Sequence, residues 1–208
     1  IRSFAVSPDE RRIAMITTPD DSPISNEGWS RVDVWNVATK KVTVLTPEDW
    51  RKDHPSPFGL IEGPAWSADG LALAFGLSFD GYPSELFVAE GADDALPVRK
   101  LNRPDEVDLA DGGRLRWRGD TRELCFVGES HARKWVCGLQ DVRDGGAGEF
   151  RKLADGDIVV QSFSFDRAGE NLFLAMETTT HPADLFHLKV GAPADSRTRL
   201  TTVNPQVD

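Results

Sequence analysis

Three serines follow a glycine at the spacing that opens a nucleophile elbow: Gly28-Trp29-Ser30, Gly76-Leu77-Ser78 and Gly128-Glu129-Ser130. The elbow, G-x-S-x-G on a sharp strand-to-helix turn, exposes a serine hydroxyl and sets backbone N–H groups where an oxyanion forms. None of the three fragments has the closing glycine and none runs into a helical pattern, so each reads as a loop or strand serine and no catalytic residue is assigned. The histidines His54, His131, His181 and His187 form no H-E-x-x-H or other short ligand spacing, and Cys125 and Cys137 lack the C-x-x-C pairs of a zinc site. Asp141, Asp144 and Gly145 suggest a turn, without the alternating oxygen ligands and closing Glu of a calcium loop. Gly145-Gly146-Ala147-Gly148 reads as part of a flexible insert over residues 141–148, with no following helix to cradle a phosphate. The expectation is no metal, no nucleotide and no other cofactor.

A net charge of −10 with scattered Lys and Arg argues against nucleic acid, which needs clustered cations to displace counterions. No apolar run is long enough to span a bilayer, so no membrane partner is expected; the reading is a soluble protein, cytoplasmic or periplasmic. The two cysteines are too few for a disulfide scaffold in 208 residues. Leu124-Cys125-Phe126-Val127 and Trp135-Val136-Cys137 read as a hairpin. Symmetry about His131 would set the cysteines opposite each other at disulfide distance, a one-residue shift would send them to opposite faces, and free buried thiols are the favoured state.

The elements that position these groups come from a repeat. An apolar strand start runs into Ser-Pro-Asp-Gly or a variant and then into a second apolar strand: Val6-Ser7-Pro8-Asp9-Glu10, Trp66-Ser67-Ala68-Asp69-Gly70, Trp117-Arg118-Gly119-Asp120-Thr121 and Phe163-Ser164-Phe165-Asp166-Arg167. Pro presets the first corner, Asp holds nearby amides, and Gly accepts positive φ. The aspartates Asp9, Asp69, Asp120 and Asp166 lie 60, 51 and 46 residues apart, near the period of a four-stranded propeller blade. A closing strand recurs in phase at Leu45, Leu101, Leu153 and Leu200. Alternating runs such as Val32-Asp33-Val34-Trp35-Asn36-Val37 have the period of two of a half-buried strand. In the first unit strands are expected at Ser3 to Val6, Ile13 to Thr17, Val32 to Val37 and Val42 to Leu45, with a loop over residues 19–30. The fold class is therefore all-β: a β-propeller of about four antiparallel four-stranded blades, at about 1–46, 61–101, 113–153 and 158–201, with a linker from 202. Trp66, Trp117 and Phe163 are assigned to packing between blades.

W-S-x-D-G followed by L-x-F, the strand Ser84-Glu85-Leu86-Phe87-Val88 and a closing R-x-L-T resemble the propeller repeats of the prolyl oligopeptidase family and of TolB-like proteins. Thr178-Thr179-Thr180-His181-Pro182-Ala183-Asp184-Leu185-Phe186, followed by Arg199-Leu200-Thr201-Thr202-Val203-Asn204, resembles the final blade of that family's dipeptidyl and acylaminoacyl peptidases. The resemblance implies a propeller of seven or eight blades, with the catalytic triad on an α/β-hydrolase domain that would follow Asp208. It implies as partners a short peptide substrate, that hydrolase domain and the remaining blades; an open arc of four blades would otherwise favour self-association. In that reading the propeller gates and positions the peptide, and Glu62 and Glu177 are the candidates for holding its amino terminus. The alternative is a non-catalytic TolB-like propeller that binds a protein or peptide.

Overall fold

The computed structural model describes residues 1–18, 30–47, 49–50, 59–79, 82–92, 96–110, 114–203 and 205. Residues 19–29 of the loop expected over 19–30, which include the Gly28-Trp29 dipeptide, and His54 lie outside them. The chain divides into two compact units: Ile1–Asn102 with Arg143–Ala147, and Arg103–Val142 with Gly148–Asp208.

In the first unit, β1 (Ser3–Val6), β2 (Arg12–Thr17), β3 (Arg31–Asn36) and β4 (Val42–Val44) form one antiparallel meander. A second contains β5 (Leu60–Trp66), β6 (Ala72–Phe79), β7 (Tyr82–Glu90) and β8 (Val98–Leu101). The four strands expected from alternation in the first sheet agree with β1 to β4 to within one residue at every end. The physical reason is visible in β2, where buried and half-buried residues alternate without a break, because successive side chains point to opposite faces. One face of the first sheet (Ala14, Ile16, Val32, Val34) joins one face of the second (Trp66, Leu73, Phe75, Phe87, Ala89) in a single apolar core. Phe75 and Phe87 stack at 5.5 Å, and Trp50 meets Phe87 edge-on at 4.9 Å.

In the second unit, β9 (Asp108–Leu109) and β10 (Arg116–Trp117) both pair with β11 (Leu124–Ser130), which continues to β12 (Arg133–Gln140) and β13 (Glu149–Ala154). A last meander contains β14 (Val159–Phe165), β15 (Asn171–Glu177), β16 (Asp184–Lys189) and β17 (Thr198–Arg199). A single parallel bridge, Lys134 with Val159, joins the two.

The repeated turns show why the repeat is there. In the first, Ser7 Oγ donates to Asp9 Oδ1 at 2.6 Å and accepts the Arg12 N–H at 2.9 Å, while Asp9 Oδ1 accepts the Arg11 N–H. Ser67, Asp69, Ala72 and Leu71 repeat the same bonds at 2.6, 2.9 and 3.0 Å. The fourth turn has a different register from the one expected. Phe165, not Phe163, forms the last pair before the turn, opposite Leu172, as Trp66 does opposite Leu73 and Trp117 opposite Leu124. Asp166 therefore stands where Ser7 and Ser67 stand, and accepts the Asn171 N–H, with Gly169 at φ 71° in the place of Gly70. The carboxylate substitutes for the serine hydroxyl as acceptor, so an alignment of aspartates misplaces the turn by two residues.

The third turn departs for a steric reason. A Cβ on Gly119 would lie 2.8 Å from the Ala168 carbonyl oxygen, and one on Gly169 would lie 3.1 Å from the Gly119 nitrogen. The two turns touch backbone to backbone, so glycine is required at Gly119, where φ is +54°.

The hairpin β11–β12 turns on two residues, His131 and Ala132, both at positive φ as a type I′ turn requires. Cys125 then pairs with Gly138 and Cys137 with Phe126. This is the one-residue shift, and it sends the two thiols to opposite faces; both are free and buried. Burial raises Cys137 to about 12 and Cys125 well above its ordinary value, so neither is a nucleophile.

The segment expected as a flexible insert is instead docked. Arg143 donates to Glu90 at 2.5 Å and to both oxygens of Asp69 at 3.1 and 2.9 Å, the Asp144 N–H reaches Glu90 at 2.9 Å, and Arg99 donates to the Gly146 carbonyl at 2.7 Å. Burial alone would raise the Glu90 carboxyl, but the Asp144 N–H and the Arg143 guanidinium outweigh it and hold it below its ordinary range.

Glu10 occupies the position of Gly70 and Gly169 at φ 60°. A side chain there costs roughly 1–2 kcal/mol, and glycine returns about 0.5–1 kcal/mol of that as chain entropy. Glu10→Gly is therefore expected to stabilise the chain by about 0.5–1 kcal/mol, and a urea midpoint equal to or below that of the parent would refute this.

Candidate functional site

The last meander builds the site from its own local needs. β15 ends at Glu177, and the chain turns with the Thr178 N–H bonded to the His181 carbonyl at 3.0 Å. Thr178 Oγ1 accepts the N–H groups of Thr180 and His181 at 3.3 and 3.2 Å. After Pro182 the chain enters β16 at Asp184, which is buried. Its Oδ1 accepts the Thr201 hydroxyl at 2.6 Å and the Val203 N–H at 2.9 Å, its Oδ2 accepts the Arg199 guanidinium at 3.0 Å, and Thr201 Oγ1 in turn accepts the Leu185 N–H at 3.0 Å. The Thr201 hydroxyl bond, with the Val203 N–H and Arg199 behind it, outweighs burial and holds the Asp184 carboxyl at about 2.

Next to this tie is a cleft of about 310 Å³. Met176, Pro182 and Phe186 contribute apolar surface, and Glu177, His181, Asp195 and Arg197 contribute polar groups. Glu177 is half-buried and accepts a bond from Gln161 at 3.2 Å. Arg197 donates to the Asp155 carbonyl at 2.7 Å, and His181 Nδ1 lies 2.8 Å from Thr180 Oγ1. The arrangement sets carboxylates and cationic groups around an apolar floor, a combination able to hold a ligand.

Glu62 belongs to the first unit and Glu177 to the second. Glu62 lies on β5 opposite Gly76, where the ladder is interrupted and Gly63 takes φ 63°. Burial raises its carboxyl above the ordinary range, and Arg2 offsets part of that. The elbow candidates are structural: Ser30 is buried and accepts the Ile61 N–H at 2.8 Å, Ser78 lies within β6 opposite Leu60, and Ser130 Oγ meets the adjacent His131 Nδ1 at 2.9 Å. Among the described residues no three His, Cys, Asp or Glu side chains converge as metal ligands. The Asp184 tie and the grouping of His181, Asp195 and Arg197 around Glu177 were not singled out from sequence. A sequence signal existed in Asp184, an acid inside an otherwise apolar strand start.

Solved structures give the frame for these meanders. TolB from Acinetobacter baumannii superposes with a TM-score of 0.64 at 16% identity, over 96% of this chain and 43% of that one. Prolyl oligopeptidase B from Galerina marginata, bound to a 35mer hydrolysis and macrocyclization substrate, gives 0.68 at 13% identity, over 97% of this chain and 27% of that one. The chain has the fold of a β-propeller. A puromycin hydrolase complexed with PGG also matches, with a TM-score of 0.63 at 16% identity, over 97% of this chain and 29% of that one. The propeller chain thus spans less than half the length of each of these three neighbours. No protein-family model matches it, and no curated protein does.

Asp184 carries a pH signature. Its folded value of about 2 lies below the ordinary 3.8, so the stabilisation it gives is complete above about pH 4 and is lost as pH falls through about 2. Asp184→Asn is expected to lower the melting temperature by about 5 °C at pH 7, with the gap to the parent closing between about pH 4 and 2. A gap that is constant across that range in thermal melts would show that the carboxylate charge is not what ties Thr201 and Val203.

Proposed function

We propose that this propeller belongs to a serine peptidase of the prolyl oligopeptidase kind, where it admits and positions short peptides for a hydrolase domain outside residues 1–208. The observation that carries the reading is the last blade. There the residues that resemble the peptidases' final blade, Thr178 to Phe186 and Arg199 to Val203, are built into one tie on Asp184 beside a cleft that includes Glu177. Similarity to a prolyl oligopeptidase with a bound peptide substrate supports the same reading. A second reading, a TolB-like propeller that holds a partner without catalysis, is supported by the comparable match to TolB.

Fluorophosphonate labelling of native source material separates the two. The peptidase reading expects a labelled polypeptide far larger than 22.9 kDa that also yields peptides of this sequence. Absence of label from every species containing the sequence would leave the partner-binding propeller.

Either carboxylate, Glu62 in the first unit or Glu177 in the second, would hold the ammonium group of a peptide. A charge-assisted bond contributes about 1.5–3 kcal/mol, so Glu62→Gln or Glu177→Gln in the whole enzyme should raise KM for free-amino peptides about ten- to hundred-fold and leave N-acetylated ones unchanged. Glu62 has a further signature. A carboxyl raised by burial makes the folded state less stable as pH rises through its unfolded value toward its folded one, so Glu62→Gln should be more stable than the parent at pH 7. An equal effect on both peptide classes would remove these residues from substrate binding.

A further inference from the structure

The cleft on the last sheet carries opposite charges that do not meet. Met176 pairs with Asp184 and Phe186 with Arg199, and side chains alternate along a strand, so these four share one face of the sheet. Arg197 is already extended, at φ −60° and ψ 131°, two residues before Arg199, and lies on the same face. All five line the cleft.

Their charges are met unequally. Arg199 is taken up by Asp184. Arg197 is half-buried and donates to the Asp155 carbonyl at 2.7 Å, but no carboxylate lies within ion-pair distance of it among the described residues, and a guanidinium has further donors to give. His181 engages Thr180 Oγ1 through Nδ1 at 2.8 Å, which leaves Nε2 for a ligand. On the acidic side Glu177, also half-buried, bonds only to Gln161 among the described residues and has no cation at ion-pair distance. A cation and a carboxylate that line one cleft without pairing each keep a charge for something else to meet, and partial burial makes a partner worth more than it would be in open water.

The volume limits what that partner is. About 310 Å³ is at the small end of the range of ligand pockets, about 300–1,000 Å³, which admits a dipeptide or tripeptide and excludes a folded partner. Met176, Pro182 and Phe186 supply apolar surface for a side chain.

We infer that this cleft binds a short peptide in its zwitterionic form, with the terminal carboxylate on Arg197 and His181, the terminal ammonium on Glu177 and an apolar side chain on Met176, Pro182 and Phe186. The inference rests on the reading of Glu177 as an ammonium contact and extends it, since a ligand recognised at both ends must be short and have free termini. It requires no hydrolase domain, so it and the peptidase reading fail separately.

Isothermal titration calorimetry on the whole protein, with any reactive serine first blocked by a fluorophosphonate, tests this with leucyl-leucine, its N-acetyl derivative and its carboxyl-terminal amide. The free dipeptide is expected to bind, and the two derivatives to bind about ten- to hundred-fold more weakly, the change expected for one lost charge-assisted bond. Arg197→Gln should weaken the free dipeptide by the same factor and leave the amide unchanged, whereas Glu177→Gln should weaken the free dipeptide and leave the N-acetyl form unchanged. A purely structural role for Arg197, through the Asp155 carbonyl, would weaken the amide as well and would overturn the assignment. Failure of the parent to bind the free dipeptide, or equal affinity for the free and amidated forms, would overturn it without any variant having to fold. The expected binding in a protein that takes no fluorophosphonate label would keep the cleft and remove the peptidase reading, and a labelled protein that binds no dipeptide would do the reverse.

Discussion

The rest of this structure depends on a guanidinium that leaves one sheet and donates to the turn carbonyl of the next. In the first unit it is Arg12 to Gly70, in the second Arg118 to Gly169. The acceptor exists because the turn residue is held at positive φ, and the donor is anchored because each arginine has a second partner. Arg12 lies over Trp66, and Arg118 also pairs with the buried Glu123, which accepts Arg151 at 2.6 Å as well. Apolar contact between twisted sheets is nondirectional and tolerates sliding. A directional bond across the same interface sets the register in which the aromatic and aliphatic rows meet, which is a use of buried polar groups that does not require large net stability.

This explains how an acidic chain keeps buried carboxylates. Glu123 and Asp184 are almost fully buried and Glu90 is half-buried, and each is matched to arginine or to backbone N–H groups. The net charge of −10 is therefore a property of the solvated surface more than of the interior. Glu62 and Glu177, also half-buried, differ from these three in that neither has a cation within ion-pair distance among the described residues. A carboxylate in that condition gains by meeting an ammonium group, which is the chemical basis for treating the pair as ligand contacts.

Strand positions in the first sheet were legible because burial on one face imposes a period of two that composition cannot hide. Finer features were less legible, in one case because sequence shows residue types and not which atom supplies an acceptor. Asp166 does the work of a serine hydroxyl, so Phe163 looked equivalent to Trp66 when Phe165 is. The cysteines depended on whether the hairpin turned on His131 alone or on His131 and Ala132, a difference of one residue. The glycine-rich segment after Asp141 looked flexible because its anchors, Glu90 and Asp69, are more than fifty residues away. The candidate site was half legible: Glu177 stood out beside the last blade, whereas Asp184 became meaningful only once Thr201 and Val203 closed on it.

The Asp184 tie has a mechanical consequence for either reading. It fixes the residues from Arg199 to Val203 onto the start of β16. The same tie neutralises the charges of Asp184 and Arg199 against each other at the wall of the cleft that Glu177 also lines. The residues that anchor Arg199 to Val203 on the last sheet and the residues that set the polarity of the cleft are then one network, since Asp184 and Arg199 belong to both.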